Sequence, residues 1–403
     1  MKVEIRPGSA CGTVAAPPSK SYAHRLMLCA ALAQGTSTVR GVARSEDMGA
    51  TLDCISSLGA QYQLDGDVLT VRGASGPLPQ DARFPCRESG STLRFFLPLA
   101  LVKGSGAVFT GTRRLMERGV SVYETLFAEK NISLQKCSES LTVSGRLTPG
   151  RYTLRGDVSS QFVTGLLFAL PLLDGPSVLQ VLPPVESRPY IDITLDAMKT
   201  FGITVTEFPE NTFHIPGGQT YRPIDVTVEG DWSNAAALLA LNELGGDVTV
   251  TGLRTDSLQG DRICVEYLRR LSAPEAVLDL SGCPDLGPVL FAVAAASHGA
   301  VFTGTRRLKI KESDRAQVMA EELKKFGVFA EVGENTVRIP AGGIKKPDAM
   351  LCGHNDHRVI MALSLLASHV GGVITEAEAV RKSYPDFFRD LKRLGLEVIY
   401  GTE

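Results

Sequence analysis

Six stretches of the chain are apolar almost without interruption. They are RLMLCAALA from Arg25, LRFFLPLALV from Leu93, FVTGLLFALPLL from Phe162, AAALLALNEL from Ala235, LGPVLFAVAAA from Leu286 and VIMALSLLAS from Val359. Each has the length of a helix and falls short of the roughly 18 residues a membrane span needs. A helix with almost no polar face has to be buried, because exposure would leave its apolar surface in water. Their starts fall at Ser21, Ser91, Ser160, Ser233, Leu286 and His357, in steps of 70, 69, 73, 53 and 71 residues. A second series runs in phase with the first. It is an amphipathic helix, usually closed by glycine, that passes into a strand: ISSLGAQYQ, LFAEKNISLQ, MKTFGITVTE, LRRLSAPEAV, LKKFGVFAEV and LKRLGLEVIY. Most copies continue into a hairpin-like close such as DGDVLTVRG or ENTVRIPAGG.

The pattern predicts six α/β units, three in each half of the chain, and repetition at a fixed period governs the fold assignment. The phrase VFTGTRRL, which occurs at Val108 to Leu115 and again at Val301 to Leu308, then falls in equivalent places of the two halves. It predicts a strand and a turn that each end on two arginines.

Composition narrows the picture. The chain has 403 residues, 44% of them hydrophobic and 21% charged, and a formal net charge of -2. That is an ordinary globular composition, and it lacks the overall basic excess of many nucleic-acid binders. None of the eight cysteines is arranged as CxxC, and several sit in apolar runs where cysteine behaves as a small hydrophobe. The opening MKVEIRPGSA has no apolar core. The expectation is a reduced, cytoplasmic compartment, with no membrane and no nucleic-acid partner.

The polar residues that open each apolar helix carry the chemistry: PPSKSYAHR, RESGSTLR, DVSSQ, EGDWSN, SGCPD and GHNDHR. Ser, Asp and Asn there are ordinary caps, worth about 1 kcal/mol each. A helix start also offers free N–H groups and a partial positive charge, so several starts combined with side-chain cations make an anion site. The cations available are Lys20, Arg25, Arg94, Arg113, Arg114, Arg306, Arg307, Lys311, Arg315 and Arg358. Competing constellations fail. There is no GxxxxGK[ST] and no GxSxG, and no GxGxxG follows a strand. Cys352, His354, Asp356 and His357 are too closely spaced, and lack a distant partner, for a metal site.

Taken in order, PPSKSYAHR, SGSTLRF, TGTRRLMER, GDVSSQF, ESRPYIDITL, PDLGPV, KIKESDR, NDHRVIM and KSYPDFF resemble the enolpyruvyl transferases, from Pro17 to Phe388. The likeness is greatest to the branch whose acceptor is shikimate 3-phosphate. The resemblance implies a two-domain inside-out α/β barrel, each domain made of three βαβαββ units with buried helices. It divides the chain into a discontinuous domain, 1–18 with 230–403, and an inserted domain, 19–229, on the shikimate 3-phosphate side. The two VFTGTRRL copies would then deliver cations to one ligand cleft.

Residue by residue, Lys20, Gly90, Arg114, Gln161, Arg315, Arg358 and Lys382 resemble a phosphoenolpyruvate site. Lys20, Ser21, Arg25, Ser159, Ser160, Gln161, Ser187, Tyr190, Asp285 and Lys311 resemble a shikimate 3-phosphate site. Asp285 is the candidate base, and Glu312 or Lys20 the candidate proton donor. The resemblance implies no metal or organic cofactor, two small-molecule substrates and a monomer. The chain departs from the family pattern at Glu88 to Ser91 and at Arg307. The substrates bring about five negative charges. Lys20, Arg25, Arg114, Lys311, Arg315, Arg358 and Lys382 oppose them, with Asp285 and Glu312 as the only carboxylates counted. Two alternatives stay open: transfer to UDP-N-acetylglucosamine, and a non-enzymatic anion-binding protein of the same fold. Against the first, the stretch RRLMERG from Arg113 has no cysteine where that branch carries one.

Overall fold

The computed structural model describes residues 1–79 and 81–401. The chain falls into two compact units, Met1–Ser19 with Glu229–Glu403, and Lys20–Val228. The apolar stretches form helices Lys20–Leu32, Gly90–Lys103, Ser160–Ala169, Trp232–Leu239, Gly287–Ala296 and His357–Val370. Their residues are buried nearly all round; in His357–Val370 only the last two are not. Ser89, Ser159, Asp231 and Asp356 cap their helices, each accepting a backbone N–H of the first turn.

In the unit Lys20–Val228 three four-stranded sheets surround three of these helices, and one hydrophobic core fills the space between. Each sheet joins a parallel pair to an antiparallel hairpin. Arg83–Arg87 runs parallel to Gly106–Gly111, which pairs antiparallel with Ser140–Ser144 and, beyond it, Ser133–Lys136. Gly150–Arg155 with Ser177–Leu182, and Asp225–Thr227 with Thr36–Arg40, are the equivalent parallel pairs. The helix Gly90–Lys103 approaches Ser160–Ala169 closely because Gly165 faces it. A Cβ at Gly165 would lie 2.3 Å from both the Arg94 carbonyl oxygen and the Tyr123 hydroxyl.

The other unit repeats the pattern with two differences. Its last sheet is completed by the start of the chain: Lys2–Ile5 lies antiparallel between Gly372–Thr375 and Val398–Gly401. The sheet of the fourth unit has two strands among the described residues, Cys11–Ala15 and Asp247–Thr251. The strand expected to open a hairpin after LRRL is Val277–Asp279, and it pairs in parallel with Ala300–Thr303 of the next sheet. The fourth unit therefore has no hairpin of its own, which accounts for its step of 53 residues instead of about 70.

The two VFTGTRRL copies form strands in equivalent positions, Gly106–Gly111 and Ala300–Thr303. Beyond the strand they diverge. In the first copy Thr112 is extended and its side chain caps an α-helix, Arg113–Arg118. In the second, Gly304 has φ +69°, Thr305 caps nothing, and Arg306–Ile310 is a 3-10 turn. The arginines differ accordingly. Arg113, Arg114 and Arg306 are exposed and Arg307 is buried, so the repeat does not present four equivalent cations.

Candidate active site

In the unit containing the chain start, Asp285, Lys311, Glu312, Arg315 and Arg358 come together with Asp356. Arg315 opens the helix Arg315–Lys325, and its guanidinium is 1% exposed. A charge so buried has to be compensated. Three carboxylates do this: Arg315 donates to Asp356 at 2.8 and 3.2 Å, to Asp285 at 2.8 Å and to Glu312 at 2.8 Å. Lys311 donates to the same Asp285 oxygen at 2.9 Å. Burial alone would raise the Asp285 carboxyl, but Lys311, Arg315 and Arg358 outweigh it and hold it well below the usual aspartate value. Burial pushes the Lys311 ammonium down, with Asp285 opposing that fall.

The helix start at Asp356 performs two tasks. Its carboxylate caps the Arg358 N–H at 2.9 Å while it holds Arg315 and the Ser313 hydroxyl. Arg358, also buried, donates to the Asn234 side-chain oxygen at 2.8 Å, and Ser383 donates to that oxygen at 3.2 Å. Lys382 is buried and donates to the Asn355 carbonyl at 2.7 Å. Asp356 and Asn234 were legible in the sequence only as helix-start residues. Capping and arginine binding call on the same side-chain types, so pattern alone does not separate them.

In the unit Lys20–Val228, Lys20 donates to Asp47 at 2.9 Å. A run of hydroxyls, Thr51 to Thr92 to Ser89, connects the helix carrying Asp47 to the cap of the helix opened by Gly90. A Cβ on Gly90 would lie 3.0 Å from the nearest Arg118 nitrogen and 3.2 Å from an Arg94 nitrogen. Glycine here leaves room for two guanidinium groups facing one point, an arrangement that favours an anion between them. Arg94 donates to the Gln161 side-chain oxygen and to the Gly119 carbonyl, and it lies over the Phe162 ring. Ser159 accepts the Gln161 N–H, and Ser160 is buried in the first turn beside it. Arg118, at the far end of the helix that Arg113 opens, was not singled out by the sequence. Arg114 is exposed on that helix's first turn.

Arg25 is a brace within its unit. It donates to the Ser21 and Tyr190 carbonyls and to Thr194 and Thr164, at 2.7 to 3.4 Å, and burial pushes its guanidinium down to about 10. Ser187, buried with φ +55°, precedes the helix Arg188–Thr200 that carries Tyr190. Two carboxylates omitted from the sequence-based charge count, Asp47 and Asp356, are bonded to cations of the set. Arg94 and Arg118 add two cations, so the set becomes nine cations against four carboxylates, and the difference of five in the sequence-based count is unchanged.

Among the described residues no helix is long and apolar enough to cross a membrane, and no group of three or more His, Cys, Asp or Glu residues is disposed to hold a metal ion. Each unit thus gathers buried or half-buried cations, Lys20, Arg94 and Arg118 in one and Lys311, Arg315, Arg358 and Lys382 in the other, and in the second the neighbouring cations hold the Asp285 carboxyl low.

Known proteins are similar to the chain over nearly its whole length. A family model described as EPSP synthase (3-phosphoshikimate 1-carboxyvinyltransferase) matches residues 6–391. The 3-phosphoshikimate 1-carboxyvinyltransferase of Clostridium kluyveri is 41% identical over 98% of both chains, and that of Clostridium perfringens strain 13 is 36% identical over the same shares. In fold, the chain is similar to the EPSP synthase of Acinetobacter baumannii, with a TM-score of 0.80 and 22% identity over 99% of this chain and 100% of that one. It is also similar to the enolpyruvyl transferase NikO of Streptomyces tendae, with a TM-score of 0.79 and 18% identity over 100% and 99%. Helices, sheets and nearly the whole length agree, and the chain belongs to the EPSP synthase family.

Proposed function

We propose that this protein transfers the enolpyruvyl group of phosphoenolpyruvate to the 5-hydroxyl of shikimate 3-phosphate and releases phosphate, a step toward chorismate and the aromatic amino acids. The observation that carries the reading is the Asp285 carboxylate, fixed by Lys311 and Arg315 beside Glu312. The reaction needs such a set. The methylene carbon of phosphoenolpyruvate gains a proton and its neighbour becomes electrophilic. The acceptor hydroxyl attacks as it loses a proton. The tetrahedral adduct then loses phosphate and one methyl proton. A base, an acid and clamps for the phosphates and carboxylates of both substrates are required.

Asp285 takes the hydroxyl proton. Its carboxyl is held low in the free protein, so it is ionised and ready. Substrate anions offset Lys311, Arg315 and Arg358 on binding, and that raises its basicity toward what the step needs. Glu312 or Lys20 delivers the proton to the methylene. Each is held by an opposite charge, Glu312 by Arg315 and Lys20 by Asp47. Arg315, Arg358, Lys382, Gln161, Gly90 and Lys20 receive phosphoenolpyruvate, together with Arg114 and Arg118. Ser21, Arg25, Ser159, Ser160, Gln161, Ser187, Tyr190 and Lys311 serve shikimate 3-phosphate. Arg25 acts through the Ser21 and Tyr190 carbonyls that it fixes.

The acceptor named for the family favours this reading over transfer to UDP-N-acetylglucosamine. A monomer belongs to the same proposal, and so does the cytoplasm, with which eight free cysteines agree. The test is phosphate release with each substrate alone and with both. Release that needs both supports the reading. A folded protein that releases phosphate with UDP-N-acetylglucosamine instead, or with neither acceptor, overturns it.

A further inference from the structure

The segment that leads into Asp356 has an unusual backbone. His354 and Asn355 are consecutive and both left-handed, at φ +48° and +50°. Residues with a Cβ seldom adopt that region, histidine and asparagine more readily than most, and two in a row need support from their surroundings. Gly353 before them is packed tightly: a Cβ there would lie 2.8 Å from Ile360 and 2.9 Å from the Thr375 carbonyl.

The helix Arg315–Lys325 holds this segment at two points. Arg315, at its start, binds Asp356. Glu322 lies two turns further along the same face and is 1% exposed. One Glu322 oxygen is 2.9 Å from His354 Nε2, and the other accepts the Cys352 N–H at 3.0 Å. Lys325 donates to both oxygens and to the Met350 carbonyl. From the other side, Glu376 accepts the Asn355 N–H at 2.8 Å, and the Asn355 carbonyl receives Lys382. The left-handed turn therefore fixes three things at once: the carboxylate that binds Arg315, the cap of Arg358 and the acceptor that holds Lys382.

We propose that Glu322 and His354 are positioning residues for the phosphoenolpyruvate cations. Their contact imposes the left-handed turn, and the turn sets Asp356, and through it Arg315 and Arg358, together with Lys382. Neither residue touches the reacting atoms. Burial would raise the Glu322 carboxyl, but His354, Lys325 and the Cys352 N–H hold it below its ordinary value, as expected of a carboxylate that works as an acceptor. The inference rests on reading Arg315, Arg358 and Lys382 as phosphoenolpyruvate ligands.

The decisive variant is His354→Gly. Glycine adopts positive φ without strain, so the variant loses the clasp but not the ability to make the turn. A residue with a purely structural role would show itself in the melting temperature. A positioning residue shows itself in the Michaelis constant of one substrate. His354→Gly should keep the parent's melting temperature or exceed it, raise the KM for phosphoenolpyruvate about tenfold, and leave that for shikimate 3-phosphate within about twofold. His354→Gln, which keeps a donor for Glu322, should recover part of the loss. Glu322→Gln, which weakens the acceptor, should move the phosphoenolpyruvate KM in the same direction. The inference is overturned if His354→Gly melts lower and both KM values stay at the parent's, or if both rise together. A parent that shows no turnover with the two substrates overturns the functional reading and the inference with it. An active parent with an unchanged His354→Gly overturns the inference alone.

Discussion

Asp285 shows how a side chain is prepared by its neighbours. Two cations share one of its oxygens, so the carboxylate is ionised but poorly basic until other anions arrive. Asp285→Asn should therefore retain both ligands and lose turnover by about a hundredfold or more. Turnover within a few-fold of the parent would make Asp285 a structural partner of Arg315 and nothing more. The same carboxylate contributes to stability. A group whose folded pKa is depressed stabilises the fold above its unfolded value and ceases to do so as pH falls through the folded one. The gap in urea midpoint between the parent and Asp285→Asn should thus be full above pH 3.8, the ordinary aspartate value, and shrink below it. A second comparison separates two arginines of which the sequence singled out only Arg114. Arg118 faces Gly90 beside Arg94, whereas Arg114 is exposed. Arg118→Ala should raise the phosphoenolpyruvate KM by about tenfold or more, the loss of a charge-assisted contact, and Arg114→Ala by less. Equal effects would mean that the helix Arg113–Arg118 acts as a whole.

At the level of elements, the repeated VFTGTRRL separates what local sequence decides from what context decides. Alternating burial makes both copies strands, because each lies in a sheet over a core. The turn after them is decided elsewhere. In the second copy the Arg306 N–H is taken by the Asn335 side chain at 2.9 Å, from the hairpin alongside, while in the first Thr112 caps its own helix. The six buried helices were legible because a segment without a polar face has one destination. Their neighbours were less so. Gly165 reads as an indifferent glycine inside an apolar run, yet it sets the distance between the helices that carry Arg94 and Gln161. Its substitution is a direct test of that packing. Gly165→Ala should destabilise the protein by about 1–3 kcal/mol in urea unfolding, since backbone and a buried tyrosine both have to yield. A loss under about 0.5 kcal/mol, the range of ordinary surface changes, would show that the helices can part without penalty.

For the whole molecule, the sequence repeat predicted the number of units but not how the first strands of the chain are used. Nothing local in KVEI or CGTVA says that one completes the sixth sheet and the other the fourth, because their partners lie more than two hundred residues away. The missing fourth hairpin left a visible trace in the step of 53, although the trace did not say which element was absent. The unit Lys20–Val228 has its own core and all its strands within one continuous stretch. Expressed alone, 20–228 should unfold in a single cooperative urea transition with a native-like circular dichroism spectrum, whereas a chain ending before Val398 should not give a cooperative transition for the other unit. A fragment 20–228 without a transition would mean that the two units fold only together. The placement of Lys2–Ile5 between Gly372–Thr375 and Val398–Gly401 also bears on synthesis. This strand waits for partners made about 370 to 400 residues later. About 170 residues separate Val228 from Val398. At roughly 5–20 residues per second the interval between a completed inserted unit and a closed split one is on the order of 10 to 30 seconds. For that time the ribosome carries one finished unit flanked by apolar segments with open strand edges, so the nascent chain's exposure to aggregation falls almost wholly on the split unit.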